Sequence, residues 1–370
     1  MLITLAIFLL ILSLLVFVHE FGHYSTARIF GIKVEEFGFG LPPRLWGWRP
    51  KLSPTIYSLN WLPLGGFVKI KGENGEASHD ADSFAAKPIW QRLVILASGV
   101  AMNFVLCVLI LSAGFAIGLP ASVEGLGSQA VISSASIQIL EILPDSPAQA
   151  AGLRVGDAIL ALDGQEFSDI DGLQQYLVSR QDQSVMITVR RGTGEATIQT
   201  TVKEFSGFTG IGVALAKTAI VRYPWYLAVW QGLKATFIWL IAIVLALVGI
   251  IKNLISGAPI GLEVAGPVGI AVLTGQAAKL GLVYVMQFTA LLSLNLAIIN
   301  ILPFPALDGG RILFLAIEKI RGRAVGQRWE NFTHNLGFAL LMVLIVAVTY
   351  RDLLVYGGRI WGAVKNLVGL

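Results

Sequence analysis

Residues 1–24 read MLITLAIFLLILSLLVFVHEFGHY. Only Thr4 and Ser13 interrupt the apolar run before it reaches Phe17-Val18-His19-Glu20-Phe21-Gly22-His23-Tyr24. A run of this length can cross a bilayer. Three ionisable side chains at its end are costly in hydrocarbon and need partners. On a helix, residues four apart share a face. The pattern H-E-x-x-H therefore sets His19 and His23 side by side with Glu20 next to them, an arrangement suited to one zinc ion. Two histidines capping a membrane helix at the interface is the plainer reading, but it leaves Glu20 without a partner. No basic segment precedes the run and no small-residue cleavage site precedes His19, so a retained helix is expected rather than a signal peptide.

The rest of the chain agrees with a membrane protein. Of 370 residues, 55% are hydrophobic and 14% charged, against about 25% charged in a soluble domain. The net charge is +4, but the basic residues cluster between apolar segments, which speaks for membrane topology and against nucleic-acid binding. Cys107 is the one cysteine, so no intrachain disulfide can form. About four transmembrane helices are expected, at 1–24, 93–119, 285–310 and 335–352, with a tail at 353–370. Residues 25–92 carry nine Lys/Arg and 309–334 carry five; both loops (25–92 and 311–334) read as cytoplasmic. Residues 120–223 hold eleven Asp/Glu against seven Lys/Arg and read as external. This parity leaves 225–251, inside a linker at 206–284, as an interfacial or partly inserted helix anchored by Tyr223, Trp225, Tyr226 and Trp230.

Within 120–205 the order is strand ("IQILEIL"), turn and short helix ("PDSPAQAAGL"), strand pair around Asp163-Gly164, helix ("DIDGLQQYLVSRQ") and hairpin ("SVMITVRRGTGEATIQTTVK"). That order resembles a single PDZ domain. Residues 53–72, "SPTIYSLNWLPLGGFVKIKG", are apolar and β-prone, with Pro63 and Gly65-Gly66 dividing them into two strands. Beside a membrane such a hairpin is expected to dip in, lying against protein or lining a cavity, because lipid cannot satisfy strand edges.

A zinc site needs a third protein ligand. His79 lies in a polar loop and His334 opens the last helix. Asp308, in "NLAIINILPFPALDGGRI" (295–312), is the better candidate. His19 lies about 27 Å along the first helix, and Asp308, ending an inward-running helix, lies at a similar depth. Asp308 could equally cap a helix end or pair with Arg311. A non-catalytic scaffold or a metal transporter are the competing functional classes. The first predicts decay of the zinc motif, and the second needs polar residues along further helices.

H-E-F-G-H in the first helix, N-x-x-P-x-P-x-L-D-G-G in a later one and a PDZ domain between them resemble the bacterial site-2 protease family of intramembrane zinc metalloproteases, similar to the regulator-of-sigma-E protease. "GFG" at 38–40, "PLGGFVK" at 63–69, "WQRLVILASG" leading to Asn103 and "GPVGI" at 266–270 extend the likeness over nearly the whole chain. The resemblance implies that His19, His23 and Asp308 hold Zn2+ and that Glu20 is catalytic. It further implies that Asn295, Asn300, Pro303, Pro305, Gly65 and Gly66 bind substrate, and that 53–72 is a membrane-re-entrant β-loop. The implied protein is a polytopic α-helical one in the bacterial cell membrane. Its active site faces the cytoplasm and its one PDZ domain, where better-known proteobacterial members have two, is extracytoplasmic. Implied substrates are single-pass membrane proteins, such as anti-sigma factors or remnant signal peptides.

Overall fold

The computed structural model describes residues 2–368 apart from 52, 124–128, 144, 193, 206–207, 258–264 and 324. In chain order its elements are α1 (Leu2–Ile29), β1 (Val34–Trp48), β2 (Ile56–Ile70), α2 (Ile89–Ile117), β3 (Leu119–Ser122), β4 (Val131–Ile142), α3 (Pro147–Ala151), β5 (Ala158–Leu162) and α4 (Ile170–Ser179). They continue with β6 (Ser184–Arg191), β7 (Gly194–Thr201), β8 (Lys203–Phe205), β9 (Phe208–Gly210), β10 (Val213–Arg222), α5 (Trp225–Ser256), α6 (Pro267–Leu280), α7 (Leu282–Ile301), α8 (Asp308–Arg321) and α9 (Gln327–Val368). Two compact units result, one from 1–111 with 231–370 and one from 112–230.

The first unit is built on helices that bury little of themselves. Five of them, α1, α2, α5, α7 and α9, are long and apolar enough to cross a membrane. Large apolar side chains such as Ile241, Leu245, Val343 and Leu344 stand exposed on α5 and α9. In water such surfaces would aggregate; in lipid they are the solvent-facing side. The chain is a polytopic helical membrane protein. The stretch expected to be interfacial, 225–251, lies in one continuous helix of 32 residues, so length and composition admit a fifth crossing beside the four expected.

Three boundaries differ from expectation. Asp308 does not end the helix over 285–310 but begins a new one, α8, because Pro303 and Pro305 stop α7 at Ile301. The last helix is not confined to 335–352: α9 runs through Val368. Asp352 is no helix stop, because its buried carboxylate accepts the Gly269 N–H at 2.6 Å and the Gly266 N–H at 3.3 Å. It thereby satisfies free N–H groups at the start of α6. The strands of 53–72 do not pair with each other. Phe37 of β1 lies between Tyr57 and Val68 of β2, and Tyr57 is also paired with Trp48. The order across the sheet is thus 44–48, 56–60, 36–39, 66–70. The side chain of Leu64 lies outside the described residues.

The second unit holds a six-stranded antiparallel sheet ordered β3-β10-β4-β5-β6-β7. Alternation decides which face is inside: Val185, Ile187 and Val189 of β6 are buried while Met186 is exposed. They pack with Ile139, Leu162, Leu173 and Leu177. Ser146 and Asp169 accept backbone N–H groups at the starts of α3 and α4. The Gly172 N–H beside Asp169 holds its carboxyl below the usual range. The order expected of a PDZ domain is present, with two corrections. The second strand after Asp163-Gly164 is only a bridge between Leu162 and Gln165. The sheet also extends past 205: β10, assigned to the linker, fills a place between β3 and β4 and buries Ala219 and Val221.

Asp157 anchors this unit. It is 1% exposed, and Arg191 donates to both its oxygens at 2.7 and 2.6 Å. The Arg154 N–H adds a third bond at 2.9 Å. Asp157→Ala removes these three bonds, leaves Arg191, among the described residues, only its bond to the Gly152 carbonyl, and should lower the opening free energy of β5 and β6 by about 2 kcal/mol. Amide hydrogen exchange of the full chain in detergent reads this directly; unchanged protection of Ile187 and Val189 would contradict it.

Candidate metal centre

His19 and His23 leave α1 one turn apart and are both buried at 6% exposure. Their Nε2 atoms are 3.2 Å from each other. Asp308 Oδ2 lies 3.0 Å from His19 Nε2 and 3.3 Å from His23 Nε2. These three form the group of metal-ligating type among the described residues. A tetrahedral zinc with bonds of about 2.0–2.1 Å needs ligand atoms roughly 3.3–3.4 Å apart. The observed triangle fits that ion, and its two imidazoles and one carboxylate are the donor types zinc takes.

The surroundings explain how the triangle is held. His23 Nδ1 lies 2.8 Å from the Ile95 carbonyl of α2; only a protonated Nδ1 can donate there, which leaves the Nε2 lone pair free for a metal. Helix α2 comes this close because position 99 is glycine: a Cβ on it would meet His23 Nε2 at 2.4 Å and His19 Cε1 at 2.7 Å. On the aspartate side, a Cβ on Gly309 would meet the Leu302 carbonyl oxygen at 2.1 Å, and one on Gly310 the Phe304 oxygen at 2.4 Å. The two glycines after Asp308 let α8 fold back onto the end of α7. Ala306 holds a φ of 77° in the bend, and His334 Nδ1 accepts its N–H at 3.0 Å. His334, without a legible role in the sequence, therefore braces the segment that carries Asp308.

The other candidates separate. Glu20 is half-buried, and a Cβ on Gly66 would lie 3.9 Å from its Cγ, so the outer segment of β2 lies beside it. Gly65 takes a φ of 93° and packs on Val16. Asn300 extends its amide to 3.4 Å from His19 Nε2, into the space a metal would share. Asn295 instead donates to the Leu291 carbonyl of its own helix at 3.0 Å. Pro303 is exposed, and Pro305 sits where Gly337 of α9 approaches it; both shape the bend. Arg311 is not the partner of Asp308 but pairs with Glu73. Ala306 and Arg311, flanking Asp308, line a polar cavity of about 640 Å3 with Glu73, Gln327, Glu330 and His334.

Sequence reasoning noted Gly99, Asn103 and Ser13 but gave none of them a role. Ser13 donates to the Pro63 carbonyl at 3.1 Å and so ties α1 to the bend in β2; its signal was a hydroxyl interrupting an apolar run. Gly99→Ala puts a methyl group into both imidazoles. It should sharply reduce bound zinc per chain while leaving the helices formed, as metal analysis and circular dichroism of the purified protein would record.

The model of Peptidase family M50 matches residues 7–344. The Clostridium perfringens protein CPE1693 is 37% identical over 349 residues, covering 94% of this chain and 97% of that one. Zinc metalloprotease RasP of Geobacillus kaustophilus is 28% identical over 431 residues, with 94% and 96% covered. The regulator of sigma-W protease RasP of Bacillus subtilis is 27% identical over 435 residues, with 95% and 98% covered. Among solved structures, the PDZ domain of an SdrC-like protein from Listeria monocytogenes is similar at 24% identity and a TM-score of 0.21, covering 23% of this chain and 92% of that one. The family match begins before His19 and runs beyond Asp308, taking in both halves of the site, and the chain belongs to Peptidase family M50.

Proposed function

We propose that this zinc metalloprotease cuts peptide bonds inside the membrane-spanning segments of single-pass membrane proteins. The observation that carries the reading is the triangle of His19, His23 and Asp308 donor atoms, 3.0–3.3 Å on a side, built on a helix fit to cross the bilayer. Glu20, adjacent to it on α1, is the general base. A bound zinc ion supplies Lewis acidity at the scissile carbonyl. The Glu20 carboxylate takes a proton from the attacking water and returns it to the leaving amine nitrogen. Asn300, reaching the same space, steadies the substrate carbonyl. The polar cavity lined by Ala306, Arg311, Glu73 and Glu330, residues flanking Asp308 in sequence among them, is the proposed source of water. The name of the Bacillus subtilis relative, regulator of sigma-W protease, supports a place in the control of a sigma factor.

A helical substrate hides its carbonyls in hydrogen bonds to residue i+4. It must unwind near Glu20, and each unsatisfied polar group then costs several kcal/mol in lipid. Among the described residues, 66–70 of β2 are paired on one side only, with 34–39 of β1. They lie next to Glu20 at Gly66. An unwound substrate can add there as a further strand. Tyr57 cannot serve this way, because it already has a strand on each side.

Glu20→Gln should abolish cleavage of a model membrane peptide while retaining one zinc per chain; cleavage at more than a few per cent of the wild-type rate would remove Glu20 from the role of base. His23→Ala and Asp308→Ala should lose the metal as well. Gly or Pro beside the scissile bond should speed cleavage and a poly-Leu replacement should slow it. A photo-crosslinking residue at Phe67 should capture substrate where one at Tyr57 does not. Equal capture at both positions would rule out strand addition at the outer segment.

A further inference from the structure

We infer that Asn103 is a positioning residue for the metal centre, accepting a hydrogen bond from His19 Nδ1 and so holding Nε2 free for the ion; this rests on the zinc reading above. Asn103 is fully buried on α2. It lies one turn beyond Gly99, on the face that the missing side chain lets rest against the imidazoles. As placed, its Nδ2 is 3.3 Å from His19 Nδ1, and its Oδ1 is buried without a partner. A half-turn of the amide exchanges Oδ1 and Nδ2. With Oδ1 facing His19, the Nδ1–H gains an acceptor and the orphaned oxygen a donor. The opposite arrangement, an amide N–H donating to Nδ1, would require the proton on Nε2, the atom that meets Asp308 and His23.

The two histidines are then held alike, His23 by the Ile95 carbonyl at 2.8 Å and His19 by an amide oxygen. Both acceptors come from α2 and both are neutral. Neither acceptor adds a carboxylate behind the imidazoles, and the charge of a bound ion is offset by Asp308 alone among the three ligating residues. Asn103 is itself anchored, because Ser293 of α7, also fully buried, donates to its carbonyl at 2.8 Å.

The test compares zinc affinity, measured against a chelating competitor, for full-length wild type, Asn103→Leu and Asn103→Asp. Visible spectra of the cobalt-substituted forms and unfolding midpoints of the metal-free forms accompany it. Leu keeps the volume and removes the acceptor; affinity should fall roughly 10–100-fold. Asp keeps an acceptor and cannot donate; its affinity should stay within about threefold of wild type or rise, with a tetrahedral cobalt spectrum. Wild-type affinity in Asn103→Leu would overturn the inference. So would loss in Asn103→Asp equal to that in Asn103→Leu, whatever the midpoints, since it would mean that an amide N–H or packing is what matters. A wild type that binds no zinc would instead sink the zinc reading itself.

Discussion

Polar atoms inside an apolar bundle must find partners there, and this constraint governs the architecture around His19. Two imidazoles and a carboxylate converge on one point, and each contact brings backbone to within touching distance. Gly99 admits α2 to the rings, and Gly309 and Gly310 admit α8 to the end of α7. The groups behind the first ring of contacts are carbonyls and amides already present in the helices: Ile95, Asn103, Asn300. The proposed zinc site is thus assembled with little added charge, in keeping with a chain in which 14% of residues are charged.

The small sheet obeys the same constraint differently. Its aromatic face lies on α1, where Phe37 packs against Phe17 and Tyr24, and the Tyr24 and Tyr57 hydroxyls meet at 2.6 Å. Trp46, Trp48 and Trp61 remain exposed. Residues 56–60 have strand neighbours on both sides, while 66–70, among the described residues, keep one side open next to Glu20. Backbone valence left unused there is the grip that strand addition, as proposed above, would use.

What was legible in the sequence follows from range. His19, Glu20 and His23 are read from helical spacing alone, and the apolar runs from composition. Within the inserted unit, caps such as Ser146 and Asp169 and the alternation of β6 are local signals and were readable. The pairing of 34–48 with 56–70 is not local: Val34-Glu35-Glu36-Phe37 alternates poorly, and "GFG" suggests a turn as readily as a strand crossed at close quarters. β10 escaped for a similar reason, since a strand that returns to the middle of its sheet is specified by tertiary packing. The start of α8 at Asp308 could have been read from Pro303 and Pro305, which forbid a helix continuing through them. Asn103 was marked by the family likeness and as an amide in an apolar helix, but nothing local to it gave its partner.

His23 and Asp308 come from opposite ends of the chain, with the whole second unit synthesised between them. At about 5–20 residues per second, on the order of tens of seconds separate the emergence of the two histidines from that of the aspartate. During that interval the two histidines of α1 stand without Asp308 while further long apolar helices, α2 and α5 among them, are being made. The split origin of the site is therefore also a timing device. On the reading proposed above, the three ligating side chains come together only after most of the chain's apolar helices have been made.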